Sequence, residues 1–407
     1  MTLETEARPP RRLLGAGRRI AAATFVAALV VRLLAVLLLP GALPERNDKT
    51  GRYDPIAASL LAGEGFALDG EPTALAPPAY PLLLAAVYVL TGGPSDLAPR
   101  LVLAGIDATS AALVAWLAFR LFGGRAALVA GVAAALLPYT VYQVLMAGSD
   151  TLFLALHAGF LVAVTAAWTR GRLRTWAAAG AVLGAATLCR AVPLLLPVGI
   201  AALVLVADRA PARRRIARAG VFLVVFAATL APWTVRNWLV FDRLVPIQAL
   251  GGVHLLMATG RGAPTVDEPA APRPDESVLE RDRRHYRLAL ERIADDPRRF
   301  LRRAGRRQVE MWSRTHSDRY EAPLLAANLL LLALAAAGLA LADRRWRLLP
   351  LLAVVLYYVA LHTVLIAIFR YLLPVVPVLL VLAAVPPAAA IERIGCGRRG
   401  PAPPPAA

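Results

Sequence analysis

The chain has 407 residues, of which 58% are hydrophobic and only 18% charged, and it carries a formal net charge of +18. A mean hydropathy of +0.59 excludes a water-soluble domain and points to an all-α polytopic membrane protein. The basic residues sit in clusters between apolar runs rather than along one amphipathic face, which argues for membrane topology signals and against a nucleic-acid partner.

In chain order, the basic segment Arg8 to Arg19 precedes an apolar run from Ile20 to Leu39, long enough for an uncleaved anchor. A polar interruption from Glu45 to Pro81 follows and carries Asp48 and Asp54. The next apolar run, Ala79 to Leu90, is only about a dozen residues, the length of a re-entrant or interfacial segment rather than a span. Basic clusters then recur at Arg120 to Arg125, Arg170 to Arg174, Arg209 to Arg218, Arg344 to Arg347 and Arg393 to Arg399. Placing each in the cytoplasm leaves room for two crossings between neighbours and predicts a bundle of about ten spans.

The expected organisation is a transmembrane core over residues 1–235, with its first outer loop at 41–98. An extracytoplasmic loop at 236–320, further spans at 321–392 and a disordered cytoplasmic tail at 393–407 complete it. The long loop escapes the charge rule despite its arginines. Within it, Glu276 to Ala294 reads as a helix with Leu288, Leu290 and Ile293 as a sparse apolar set. Asp295 or Asp296 before Pro297 caps a second, strongly basic helix. That helix either rests on anionic headgroups or guides a phosphate-bearing lipid. Cys189 and Cys396 have neither metal nor redox spacing, and no disulfide is expected.

This topology collects Asp48, Asp54, Arg100, Asp150, Arg190, Arg370 and Tyr371 at the outer ends of spans. Ionisable groups at membrane depth are costly and tend to be paired or functional. Carboxylates can take a proton from an attacking hydroxyl, and guanidinium groups can hold a departing phosphate through paired donors. Plainer readings stand beside these. Arg100 and Arg370 could snorkel to headgroups, Asp54 could N-cap the helix that Pro55 begins, and Asp150 could complement a helix dipole. Asp48 has no such alternative, since Lys49, Thr50 and Gly51 continue as loop. Arg32 and Asp107 lie at matching depths, about 10 Å below the outer boundary by helical rise, and are expected to pair. His157 and His362 lack a second ligand at helical spacing and read as hydrogen-bonded core residues.

Four segments and a closing motif together resemble the bacterial members of glycosyltransferase family 39. These are the GT-C membrane enzymes that include protein O-mannosyltransferases and lipid A aminoarabinose transferases. The first segment is Asn47-Asp48 with Tyr53, Gly63-Glu64-Gly65-Phe66 and Pro77-Pro78-Ala79-Tyr80-Pro81. The others are Gly148 to Phe153, Leu183 to Arg190, and Pro232 to Trp238, closed by Phe369-Arg370-Tyr371-Leu372-Leu373-Pro374. The resemblance implies a GT-C bundle with outer-face juxtamembrane helices and a sugar donor linked to a polyprenyl phosphate. It places Asp48 at the catalytic carboxylate, Asp150 at the second acidic position, and Arg190, with Arg100, Arg370 and Tyr371, around the donor phosphate. Asp54, Tyr53 and Tyr80 support the site. Lys49 stands where protein mannosyltransferases carry a second carboxylate, and Ala76 stands where the lipid A enzymes carry a lysine.

The expected activity is inverting transfer of a hexosyl or pentosyl unit to a hydroxyl of a glycan, lipid or protein, with Asp48 as general base. It is placed on the outer face of a bacterial cytoplasmic membrane. The rival is a transporter or flippase for a lipid-linked sugar, disfavoured because neither repeat symmetry nor broken mid-membrane helices are evident. No cofactor is required; a divalent cation at Asp48 and Asp150 is compatible with the scheme but not called for by ligand spacing.

Overall fold

A computed structural model describes residues 11–39, 49–260, 273, 276–314 and 318–397. Asp48 lies outside the described residues. The described chain is almost entirely helical. In order the helices are α1 (Arg11–Leu38), α2 (Asp54–Leu61), α3 (Ala79–Thr91), α4 (Leu97–Phe122), α5 (Gly124–Leu136), α6 (Pro138–Leu145), α7 (Ser149–Arg170) and α8 (Leu173–Cys189). They continue with α9 (Leu196–Ala207), α10 (Ala212–Phe241), α11 (Gly251–Thr259), α12 (Val278–Asp295), α13 (Pro297–Ser313), α14 (Glu321–Leu341), α15 (Leu349–Val364), α16 (Val376–Ala383) and α17 (Val385–Gly397). The described strands are a two-residue antiparallel pair, Ala67–Leu68 with Glu71–Pro72.

Among the described residues seven helices are long and apolar enough to cross a membrane, or eight if α5 and α6, bent by 42° at their junction, form one span. Three shorter apolar helices remain, Ala79–Thr91, Leu173–Cys189 and Val192–Ala207. A count near ten is reached only if the last two also cross. Ala79–Thr91, with 13 residues, reaches about 20 Å by helical rise and is too short to cross a hydrocarbon core of about 30 Å.

Helix association in lipid depends on close backbone approach rather than on expelling apolar surface from water. Accordingly α8 meets α10 at Gly180, where an added Cβ would come within 2.5 Å of the Phe222 carbonyl. At Gly338 on α14 an added Cβ would collide with the Leu382 carbonyl on α16.

The expected intramembrane pair is present. Arg32 on α1 donates from Nε to Asp107 on α4 at 2.6 Å, and both residues are almost fully buried. Its remaining donors reach the Ala135 carbonyl, the Ala134 carbonyl at 3.1 Å and the Thr140 hydroxyl at 2.9 Å. A guanidinium is tolerable at this depth because each nitrogen finds an acceptor. The pair borders a cavity of about 360 Å³ lined mainly by aliphatic side chains.

In the loop region α12 begins two residues later than Glu276, because Ser277 and Glu280 close a reciprocal capping box. Asp296 caps α13, accepting from the Arg299 amide at 2.8 Å. At the other end α17 is helical through Gly397, so the part of the tail from 393 to 397 is ordered as helix.

Candidate active site

Three remote segments meet at Asp150. Its backbone lies in the first turn of α7, directly after Ala147, whose φ of +48° is a left-handed conformation that costs a non-glycine residue energy. The Tyr80 hydroxyl donates to the Ala147 carbonyl and pins that turn. The PPAYP motif thereby aims the start of α7.

Arg190, which ends α8, donates from Nη1 to Oδ1 of Asp150 at 2.6 Å. Arg370, in the 3-10 turn Phe369–Leu372, donates to Oδ2 from Nε at 2.9 Å and from Nη2 at 2.6 Å. The Asp150 side chain is 4% exposed, whereas those of Arg190 and Arg370 are 16% and 20% exposed. The carboxylate is therefore enclosed by its two partners, while the guanidinium groups keep an open side. Both guanidinium groups border a pocket of about 240 Å³ lined also by Phe153, Val192 and Tyr371. It is smaller than the cavity beside Arg32, and Asp150, Arg190 and Arg370 all line it.

Tyr371 forms an aromatic floor here. The Arg190 guanidinium lies 5.9 Å from its ring centroid, and the His362 ring stacks on it at 5.2 Å and 10°. His362 also bonds the Ile366 carbonyl at 3.1 Å, and His157 is buried against Tyr358, so both have the core surroundings expected of them.

The first loop is joined to this cluster by hydrogen bonds. Tyr53 shares a 3.1 Å bond with the Ser149 hydroxyl, which in turn lies 3.4 Å from Nη1 of Arg190. Tyr80 packs edge-on against Tyr53 at 5.0 Å. Tyr53 is five residues after Asp48 in the sequence.

Asp54 behaves differently from its expected N-cap role. Tyr53 occupies the cap position of α2 without a side-chain bond, and Asp54 is already helical. Its carboxylate is drawn instead to Lys49 Nζ at 2.7 Å and to the Tyr88 hydroxyl at 2.6 Å. Residues 49–53 are likewise a helical turn rather than plain loop. Lys49 is buried and also reaches Asp96 at 3.1 Å. It is the only lysine in a chain whose Lys and Arg total 45, a compositional signal that could have singled it out. An ammonium is a compact charge suited to a site where a planar guanidinium would not fit.

Arg100 lies one helical turn beyond Asp96, and no described bond joins it to Asp150; its Nε is buried without a partner. Arg236 was not expected at the site. It donates to the Phe66 carbonyl at 2.9 Å and the Thr73 carbonyl at 3.1 Å, with its guanidinium packed over Phe66, Trp233 and Phe241. The Pro232 to Trp238 segment thus clasps the first loop. Among the described residues no group of three or more His, Cys, Asp or Glu could hold a metal ion.

Residues 76–235 match the family model described as dolichyl-phosphate-mannose-protein mannosyltransferase. The fold is similar to that of the archaeal oligosaccharyltransferase AglB from Archaeoglobus fulgidus, solved in complex with an inhibitory peptide and a dolichol-phosphate. That match has a TM-score of 0.58 at 14% identity and covers 93% of this chain and 51% of AglB. The family match covers under half of the chain, and the likeness to AglB is one of fold. The chain spans about half the length of AglB. ArnT from Cupriavidus metallidurans also matches, at 17% identity, over 92% of this chain and 80% of that one in the apo state, with a TM-score of 0.39. With undecaprenyl phosphate bound, ArnT matches at 17% identity and a TM-score of 0.40, over 94% and 81% of the two chains. No curated protein sequence matches this chain.

Proposed function

We propose that this protein is a GT-C glycosyltransferase that transfers a sugar from a polyprenyl-phosphate-linked donor to an acceptor hydroxyl, on the outer face of a bacterial cytoplasmic membrane. The observation that carries the reading is the convergence of Arg190 and Arg370 on Asp150 beside an open cavity. Such a pair supplies what a departing phosphate needs, namely planar donors fixed before the reaction. The dolichol-phosphate present with AglB supports a lipid phosphate as the ligand.

In this scheme Asp48 accepts the proton of the acceptor hydroxyl while the oxygen attacks the anomeric carbon. The bond from that carbon to the phosphate oxygen breaks, and the lipid phosphate leaves carrying the negative charge, with inversion at carbon. Asp150 acts mainly by holding the two guanidinium groups, since both its oxygens already accept from them. Tyr371 gives the floor of the phosphate pocket, and Tyr53, Tyr80 and Asp54 fix the loop that presents Asp48. Arg100 contributes positive charge at the mouth of that loop. The acceptor is a hydroxyl of a cell-envelope glycan, lipid or protein.

The test is transfer of labelled sugar from synthetic polyprenyl-phosphate donors into envelope acceptors by the purified chain in proteoliposomes. Arg190→Gln and Arg370→Gln should each raise the donor KM at least tenfold. Movement of the intact donor across the bilayer, without transfer, would favour the flippase reading instead.

A further inference from the structure

We propose that α13 is a lipid-binding surface helix whose exposed arginines recognise anionic phospholipid headgroups at the bundle end that holds Arg370. The placement follows from its ties to spanning helices. The Asn328 side chain in α14 donates to the Trp312 carbonyl at 2.6 Å. Arg307 donates to the Thr363 carbonyl at 2.8 Å, one residue before the end of α15, and Gln308 bonds the Thr363 hydroxyl. The Phe369 amide donates to the Arg314 carbonyl at 3.0 Å, joining the end of α13 to the turn that carries Arg370. A helix fastened across the ends of two spans lies at headgroup level. Tyr320, 58% exposed at the head of α14, has the amphipathic ring usual at that depth.

The arginines of α13 divide into two groups. Arg303 and Arg307 face inward and donate to the Thr259 and Ala258 carbonyls at the end of α11, at 3.1 and 2.6 Å. Arg298, Arg302 and Arg306, spaced four residues apart, fall on one outer face, with Arg299 at its edge, and all four are exposed. The same face carries Leu301, 67% exposed, and Val309, 58% exposed. Glu310, the sole acidic residue of the helix, lies 3.6 Å from Arg314, so the helix keeps a strong excess of positive charge. Exposed cations interleaved with exposed aliphatic groups match an anionic leaflet, where the stems enter the acyl boundary and the charges meet phosphates.

The test uses the full chain in nanodiscs containing equal phosphatidylglycerol and phosphatidylcholine. Lipids retained by the protein are counted by native mass spectrometry, for wild type and for the Arg298→Gln, Arg302→Gln, Arg306→Gln triple variant. Each arginine should contribute about fivefold to retention of the anionic lipid, and raised salt should reduce that preference. A nitroxide at Leu301→Cys, in a Cys396→Ser background, should be shielded from an aqueous quencher in anionic but not in purely zwitterionic discs. Equal lipid composition for wild type and triple variant, or an equally water-exposed label in both discs, would overturn the proposal.

Discussion

Arg370 reaches across 220 residues of sequence to donate two hydrogen bonds to one oxygen of Asp150, while Arg190 occupies the other oxygen. The carboxylate organises two cations whose mutual repulsion would otherwise push them apart. Asp150→Asn should therefore lower thermal stability, by about 1.5–3 kcal/mol on the scale of hydrogen bonds to charged groups. A double-mutant cycle with Arg370→Gln checks this. The two substitutions should be less than additive by about 1 kcal/mol or more, because they remove the same interaction.

Lys49 tests how the first loop is held. Its ammonium is buried between Asp54 and Asp96, but the Asp96 side chain is 80% exposed and that of Asp54 only 25%. The exposed bridge should contribute little, within about 1 kcal/mol. Asp96→Asn should thus leave transfer near wild type. Lys49→Met should lower kcat at least tenfold through displacement of the neighbouring Asp48, with partial recovery in Lys49→Arg. Single-turnover transfer measures both.

The Arg32–Asp107 pair should matter for folding alone. Breaking it by Arg32→Met leaves an uncompensated carboxylate in the bundle and should destabilise by about 3–5 kcal/mol. Replacing both partners with aliphatic residues should recover much of that loss. Thermal unfolding in detergent reads the stability, and an unchanged donor KM in the double variant confirms that the pair lies outside the site.

The entry to α12 gives a pH dependence. The hydrogen bond from Arg284 holds the half-buried Glu276 carboxyl below its ordinary value near 4.5, with further help from the Arg284 charge. A depressed carboxyl contributes stability that is fully present above the unfolded value and is lost as pH falls through the folded one. Protection of the amides around Arg281 to Arg284, corrected for intrinsic exchange, should be constant from pH 7 to about 5 and decline below about 4.5. Glu276→Gln should lessen that decline, leaving the share contributed by the Glu280 carboxyl of the capping box, which its bonds to Ser277 also hold low.

The sequence made the membrane class, the paired intramembrane charges and the meeting of Asp150, Arg190, Arg370 and Tyr371 legible. Each follows from the cost of burying charge, which forces distant polar residues to one membrane boundary. The local calculus of helix caps served less well at Asp54, where a buried lysine outcompeted the helix end for the carboxylate. The burial of Lys49 is not legible in a Lys-Thr-Gly run, although its being the only lysine of the chain is. Arg236 was hidden by its role, since a cation that clasps backbone carbonyls leaves no charge pattern in the sequence. The capping box at Ser277 sets the start of α12 two residues beyond the expected one.

The most direct measurement is transfer by Asp48→Asn in proteoliposomes, alongside binding of undecaprenyl phosphate to the same preparation. Loss of a general base should reduce transfer by about 10²–10⁴-fold while lipid-phosphate binding stays within twofold of wild type. Retained transfer, or binding that fails together with transfer, would contradict the assignment of Asp48 as base beside a separate arginine-held phosphate.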